Sequence, residues 1–357
     1  FREHHLAADS ARARAFRAFQ REHGDALRRH ALCEALQEHF HRQDAGVWGW
    51  PAWPAPFHDP AADAVARFCE AHLERVEYFE YLQWQAEQQL GRAAERCRAL
   101  GMPIGLYLDL AVSVDCAGSD TWAARDVFAT GASLGAPLDD FNLKGQNWGL
   151  PPLRPDRLRA SGYALFRDAL AEAMRHAGAI RIDHVMGLMR LFWIPAGASA
   201  LEGGYVHYAL DELVGIVAQE SVRNRCLVIG EDLGTVPDAV RSALAEAGVL
   251  SYRILYFERD AHGHFRSPAE FPREALVAAS THDLPTLAGW WIGRDLEWRD
   301  ALALYPNDAL RHAQRAARAA DRARLLQALE REHLLPPDCG TDPAALPALT
   351  PDLQHAV

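Results

Sequence analysis

Residues 175–187 read RHAGAIRIDHVMG. RHAGAI describes a helix end and a return into apolar surroundings. The next residues place Arg181, Asp183 and His184 where a buried strand should stay apolar. An acid and a base at such a strand tip cost free energy unless they are paired or used. Arg181 and Asp183 are two residues apart, so a strand presents them on one face.

Two later stretches end the same way. RCLVIGEDLG (225–234) and ALVAASTHDLP (275–285) each run from apolar residues into carboxylates, at Glu231 and Asp283. Working outward, strands are expected near 104–109, 179–183, 226–231, 251–257 and 275–281. Helices are expected at 156–177, 206–223 and 235–248, the last with Thr235 as its cap and Pro237 in its first turn. Such alternation predicts a parallel α/β sheet covered on both faces. Acidic groups at the tips of several strands are the arrangement of a (β/α)8 barrel.

The N-terminal part differs. Residues 1–45 carry apolar residues at helical spacing, AGVWGWPAWPAPFHDP (45–60) breaks any helix, and 61–100 is helical again, with Gly101 placed to cap it. The division expected is a helical inserted subdomain at 1–100 and a partial barrel at 101–357. GAPLDDFNLKGQNWGLPP, 135–152, reads as a long loop over the barrel.

Composition narrows the function. A chain of 357 residues with 49% apolar and 24% charged content is globular. A net charge of −11 argues against a nucleic-acid partner. No apolar run reaches the roughly 18 residues of a membrane span, and no secretory leader opens the sequence. The six cysteines form no CxxC pair, which suits free buried thiols in a reducing cytoplasm. A first residue that is not methionine and a last stretch, TPDLQHAV, that starts a helix suggest a piece of a longer protein.

One aspartate at a strand end is ordinarily a turn or capping residue. Three such acid-bearing motifs in chain order, at Asp183, Glu231 and Asp283 and separated by 48 and 52 residues, fit barrel strands converging on one mouth. Convergent carboxylates suit either glycoside chemistry, with one charged and one protonated acid, or a metal site completed by His184 and His282. Arg181 favours the first, because a guanidinium keeps Asp183 ionised and repels a cation.

With these motifs in order the chain resembles the amylomaltase family, the 4-α-glucanotransferases or disproportionating enzymes of glycoside hydrolase family 77, in the α-amylase clan. The resemblance covers nearly the whole chain and rests on MPIGLYLDLAV, GAPLDDFNLKGQNWGLPP, RIDHVMGLMRLFWIP, VIGEDLGTVP and STHDLPTLAGWW. It implies Asp183 as nucleophile, Glu231 as general acid/base and Asp283 as a third carboxylate holding ring hydroxyls. Arg181 and His282 resemble residues that hold the nucleophile and the sugar, and Asp109 matches an aspartate at the first strand's tip. Asp139, Gln146 and Trp148, in the covering loop, are implied glucan contacts.

The resemblance further implies maltooligosaccharides or other α-1,4-glucans as substrates, no metal or organic cofactor, and a cytoplasmic setting. The family's first two strands and last strand have no counterpart here, so a barrel truncated at both ends is expected. A retaining mechanism needs its carboxyls about 5–5.5 Å apart, with the acid's pKa raised. A hydrolase on the same fold, or a metal-dependent hydrolase, are the competing expectations.

Weaker signals are read as packing. Trp48, Trp50, Trp53 and Phe57 are expected to pin helices, and the Arg-rich 311–325 segment is expected to be an exposed helix.

Overall fold

The computed structural model describes all residues except 139–143, 235 and 347. The chain divides into two compact units, Phe1–Gly230 with Val236–Val249 and Glu231–Thr235 with Leu250–Val357.

The first unit begins with helices α1 (Ala11–Gln43), α2 (Asp63–Ala71) and α3 (Leu73–Ala99). Their apolar residues recur at helical spacing and meet in one cluster that includes Leu36, Phe40, Phe68 and Val76. The tryptophans of the 45–60 segment mostly join it. Trp53 is buried, and its Nε1 donates to Gln37 Oε1 (3.1 Å), while Trp50 Nε1 donates to Thr121 Oγ1 (3.0 Å). Trp48 is the exception, at 70% exposure. Helix α3 stops as its sequence requires. Gly101 takes φ +71°, its N–H donates to Arg98 O (3.0 Å) and the Met102 N–H to Cys97 O (3.1 Å). That doubly bonded ending satisfies two of the last carbonyls and favours glycine at its left-handed position.

The strands of this unit are β1 (Tyr107–Leu110), β2 (Ala132–Ala136), β3 (Gln146–Asn147), β4 (Ala179–Ile182), β5 (Arg190–Pro195), β6 (Gly204–His207) and β7 (Leu227–Gly230). β4 lies between β1 and β7 and is parallel to both. Around them come α4 (Ser119–Ala123), α5 (Pro155–Ala160), α6 (Ala164–Met174), α7 (Leu210–Asn224) and α8 (Asp238–Glu246). Because side chains alternate along a strand, Ile180 and Ile182 enter the core with Leu170 and Met174 of α6 and Val217 of α7. Arg181 takes the opposite face. Gly178 sets where β4 begins, because a Cβ there would lie 1.4 Å from Ile104 O.

A second sheet was not legible in the sequence. β3, β2, β5 and β6 form an antiparallel ribbon in that order. The expected loop at 135–152 therefore begins as β2 and contains β3, and the helix expected at 206–223 starts only at Leu210. β5 has the strong pattern, with Leu191, Phe192 and Ile194 buried. Its partners ASLGA and GYVH are short and weak strand formers that are ordered by pairing with it, and QN pairs in turn with ASLGA. The helix expected at 156–177 is two helices, because Gly162 and Tyr163 adopt left-handed backbone at φ +62° and +61°.

In the second unit, β8 (Leu250–Ile254) pairs in parallel with β9 (Ala275–Ala278). Helices α9 (Leu287–Ile292), α10 (Arg294–Ala301), α11 (Asp308–Arg331) and α12 (Pro351–Ala356) follow. Trp290, Trp291, Leu326 and Leu353 form its core. The Arg-rich helix α11 is not simply an exposed face. Arg318 pairs with Asp295 (2.8 and 2.7 Å) and lies over the Trp290 ring, and Arg322 donates to two backbone carbonyls.

The cysteines are all free, but only Cys33 and Cys226 are buried, and Cys116 is exposed. Among the described residues no helix is long and apolar enough to cross a membrane. Pro237 precedes α8 as its N-cap instead of entering the first turn, and Thr235 lies outside the described residues.

Candidate active site

The parallel pairing of β1 with β4 sets Asp109 opposite Arg181, and Asp183 stands two residues beyond Arg181. The three side chains meet. Arg181 Nη1 donates to Asp109 Oδ1 (2.9 Å) and Oδ2 (3.0 Å), and Nη2 lies 2.7 Å from Asp183 Oδ1. The Arg181 side chain is 5% exposed, whereas Asp109 is 44% and Asp183 31% exposed. A buried cation thus holds two carboxylates that stay open to solvent. A guanidinium suits this, since its rigid fork bonds two acceptors at once.

The Asp183 N–H continues the ladder to Leu110 O (3.0 Å), and the chain then turns sharply. His184 adopts left-handed backbone (φ 45°, ψ 58°) and leads into the short turn Val185–Leu188. Such a conformation in a residue other than glycine costs about 1–3 kcal/mol and clusters at functional sites. The His184 ring meets Trp148 edge to face at 5.4 Å. Burial holds the His184 pKa below the usual imidazole value, against the opposing pull of the Asp183 charge.

Trp148 itself is half-buried. Its Nε1 donates to Gln146 Oε1 (3.1 Å), and its backbone N–H to Leu134 O (2.9 Å). Gln146, Trp148 and His184 therefore form a chain of contacts ending beside Asp183. Asp139, expected in the same loop, lies outside the described residues.

In the second unit Glu231 is the first residue after β7, and its Oε1 accepts from the Leu233 N–H (2.8 Å). Its neighbour Asp232 was missed by the sequence reading. Asp232 is buried and accepts from Ser251 Oγ (2.7 Å) and the Tyr252 N–H (2.9 Å), which ties the GEDLG turn to β8. The signal was available: adjacent side chains at a strand end point opposite ways, so one of two acids must turn inward and be satisfied there.

Asp283 does not follow its strand directly, because β9 ends at Ala278. It sits in an exposed turn where its N–H donates to Thr281 Oγ1 (3.1 Å) and His282 Nε2 lies 3.4 Å from its Oδ2. Among the described residues, no three or more His, Cys, Asp or Glu side chains are grouped to hold a metal ion.

The chain has clear relatives among known proteins. The chain is 43% identical over 303 residues to a 4-alpha-glucanotransferase of Haemophilus influenzae, covering 85% of this chain and 43% of that protein. A 4-alpha-glucanotransferase of Mycobacterium bovis is 41% identical over 336 residues, covering 93% of this chain and 45% of that protein. The chain thus spans less than half the length of these relatives.

Among solved structures, amylomaltase from Corynebacterium glutamicum superposes with a TM-score of 0.79 at 34% identity, over 92% of this chain and 44% of that one. Amylomaltase from Streptococcus agalactiae in complex with acarbose superposes at 0.70 with 22% identity, over 84% and 62%, and supports the fold alone. The fold is accordingly the α/β, TIM-barrel-like one. The sequence model of the 4-alpha-glucanotransferases of glycoside hydrolase family 77 matches residues 1–351, and the chain belongs to that family.

Proposed function

We propose that this chain carries the catalytic groups of a cytoplasmic 4-α-glucanotransferase that moves α-1,4-glucan segments between maltooligosaccharides. In this reading Asp183 attacks the anomeric carbon of the donor while Glu231 gives its proton to the departing glycosidic oxygen. The glucan is then an ester of Asp183. An acceptor hydroxyl next surrenders its proton to Glu231, and its oxygen displaces Asp183 from the same carbon. Two inversions give net retention.

The observation that carries this reading is the pairing of Arg181 with both Asp109 and Asp183. A nucleophilic carboxylate must be held in one orientation, and a buried guanidinium bonded to one of its oxygens does this. Asp283 and His282 are assigned to sugar hydroxyls, an allocation that suits their exposed, mutually paired turn. Asp109 steadies Arg181. Gln146, Trp148 and Asp139 are assigned to glucan contact, Trp148 through its ring face. Residues 1–100 are read as an inserted helical subdomain and 101–357 as the barrel portion.

The test is product analysis with maltotriose. A ladder of shorter and longer maltooligosaccharides without growth in reducing ends supports transfer. Glucose and maltose with rising reducing ends would make the protein a hydrolase.

A further inference from the structure

The first unit contains a cavity of about 160 Å³ beneath the tip of β4, lined by Leu110, Phe128, Leu158, Phe166, Ile182 and Leu188 among others. Asp183 and His184 also border it. Strand alternation explains its character: Ile182 turns into the cavity, while Arg181, on the other face, takes the Asp183 carboxylate.

Most polar side chains on its wall are already engaged. Ser113 Oγ donates to Pro151 O (2.6 Å) and Tyr208 Oη to Leu153 O (2.6 Å). His184 packs against Trp148, Asp183 is held by Arg181, and Asp120 is exposed. A sugar entering here would exchange water for a wall that is mostly apolar, which is unfavourable for each hydroxyl that meets no partner there. An apolar molecule meets no such penalty. A cavity of about 150 Å³ lined by Leu, Ile and Phe stays dry and takes benzene or xenon, and this one matches it in size and lining.

We propose that this cavity, which borders Asp183, binds a neutral, apolar ligand of about one aromatic ring. Occupancy acts on the β4 tip, because the same cavity borders Asp183 and His184. Entry is beside Ala111 and Ala169, both exposed and both on the lining.

Benzene is the probe, and its binding is independent of the glucan reading. Titration into the protein is expected to raise Tm by a few degrees along a saturating curve, and to shift the imidazole resonances of His184 but not those of the surface residue His264. Ala169→Phe places a ring at the mouth and should abolish both responses. A Tm that does not rise with benzene, an unmoved His184, or an undiminished response in a folded Ala169→Phe protein would each overturn the proposal. Should that variant fail to fold, the His184 shift in the unaltered protein decides the matter alone.

Discussion

Asp109 and Arg181 face each other across the parallel β1–β4 pair, and both oxygens of the aspartate accept from one guanidinium nitrogen, at 2.9 and 3.0 Å. This contact turns a strand register into a fixed side-chain orientation. It fixes the arginine whose other terminal nitrogen bonds Asp183, so a residue on the first strand controls an acid on its neighbour.

The arginine should therefore be hard to replace. Arg181→Met leaves two carboxylates facing each other without their shared cation and is expected to destabilise the fold by about 3 kcal/mol, the lower end for a broken buried pair because both acids are partly exposed. Arg181→Lys keeps the charge but not the fork. It should retain most of the stability while losing transfer activity. Urea unfolding and initial rates on maltotriose measure the two effects separately. Equal losses in both variants would contradict an orienting role.

Glu231→Gln should lower kcat on maltotriose by about 10²–10⁴-fold, the usual contribution of a positioned general acid or base. Formation of the glycosyl-enzyme from a maltosyl fluoride should be nearly unchanged, since fluoride leaves without a proton. Comparable losses on both donors would remove Glu231 from the acid role.

His184 makes stability depend on pH. Burial keeps its folded pKa below the value of about 6.5 expected in the unfolded chain. The unfolded state thus binds the proton first as pH falls, and the folded state loses stability below about pH 6.5, by at most about 1.4 kcal/mol per pH unit. Above that pH the contribution is complete. Unfolding at pH 7.5, 6.5 and 5.5 should show a steeper loss in the unaltered protein than in His184→Gln.

Gly178→Ala tests the approach of β1 to β4. Its new Cβ would sit 1.4 Å from Ile104 O, which the backbone cannot absorb in place. Strain of about 1–3 kcal/mol or more is expected, with transfer activity falling because the Asp109–Arg181 register is displaced. A variant with unchanged Tm and rate would mean that the two strands separate freely at this point.

β4 and β7 were legible because each is an apolar run that ends in charge, so RIDH and GEDLG give both position and polarity. The antiparallel ribbon was not, since ASLGA and GYVH have little strand character apart from their partner RLFWIP. The pairing of Arg181 with Asp183 follows from their spacing. Its continuation to Asp109 does not, because register between strands 72 residues apart is set by contacts such as Gly178 against Ile104. Asp232 shows the converse limit: a carboxylate beside a candidate acid proved to be the structural one, distinguished only by what it bonds.

The central claim is that Asp183 forms a covalent bond to the transferred glucan. The most direct measurement is to incubate the Glu231→Gln protein with maltosyl fluoride and digest it for peptide mass spectrometry. The account expects a maltosyl adduct on Asp183 that disappears in Glu231→Gln/Asp183→Asn. An adduct on another residue, or undiminished maltotriose transfer by Asp183→Asn alone, would contradict it.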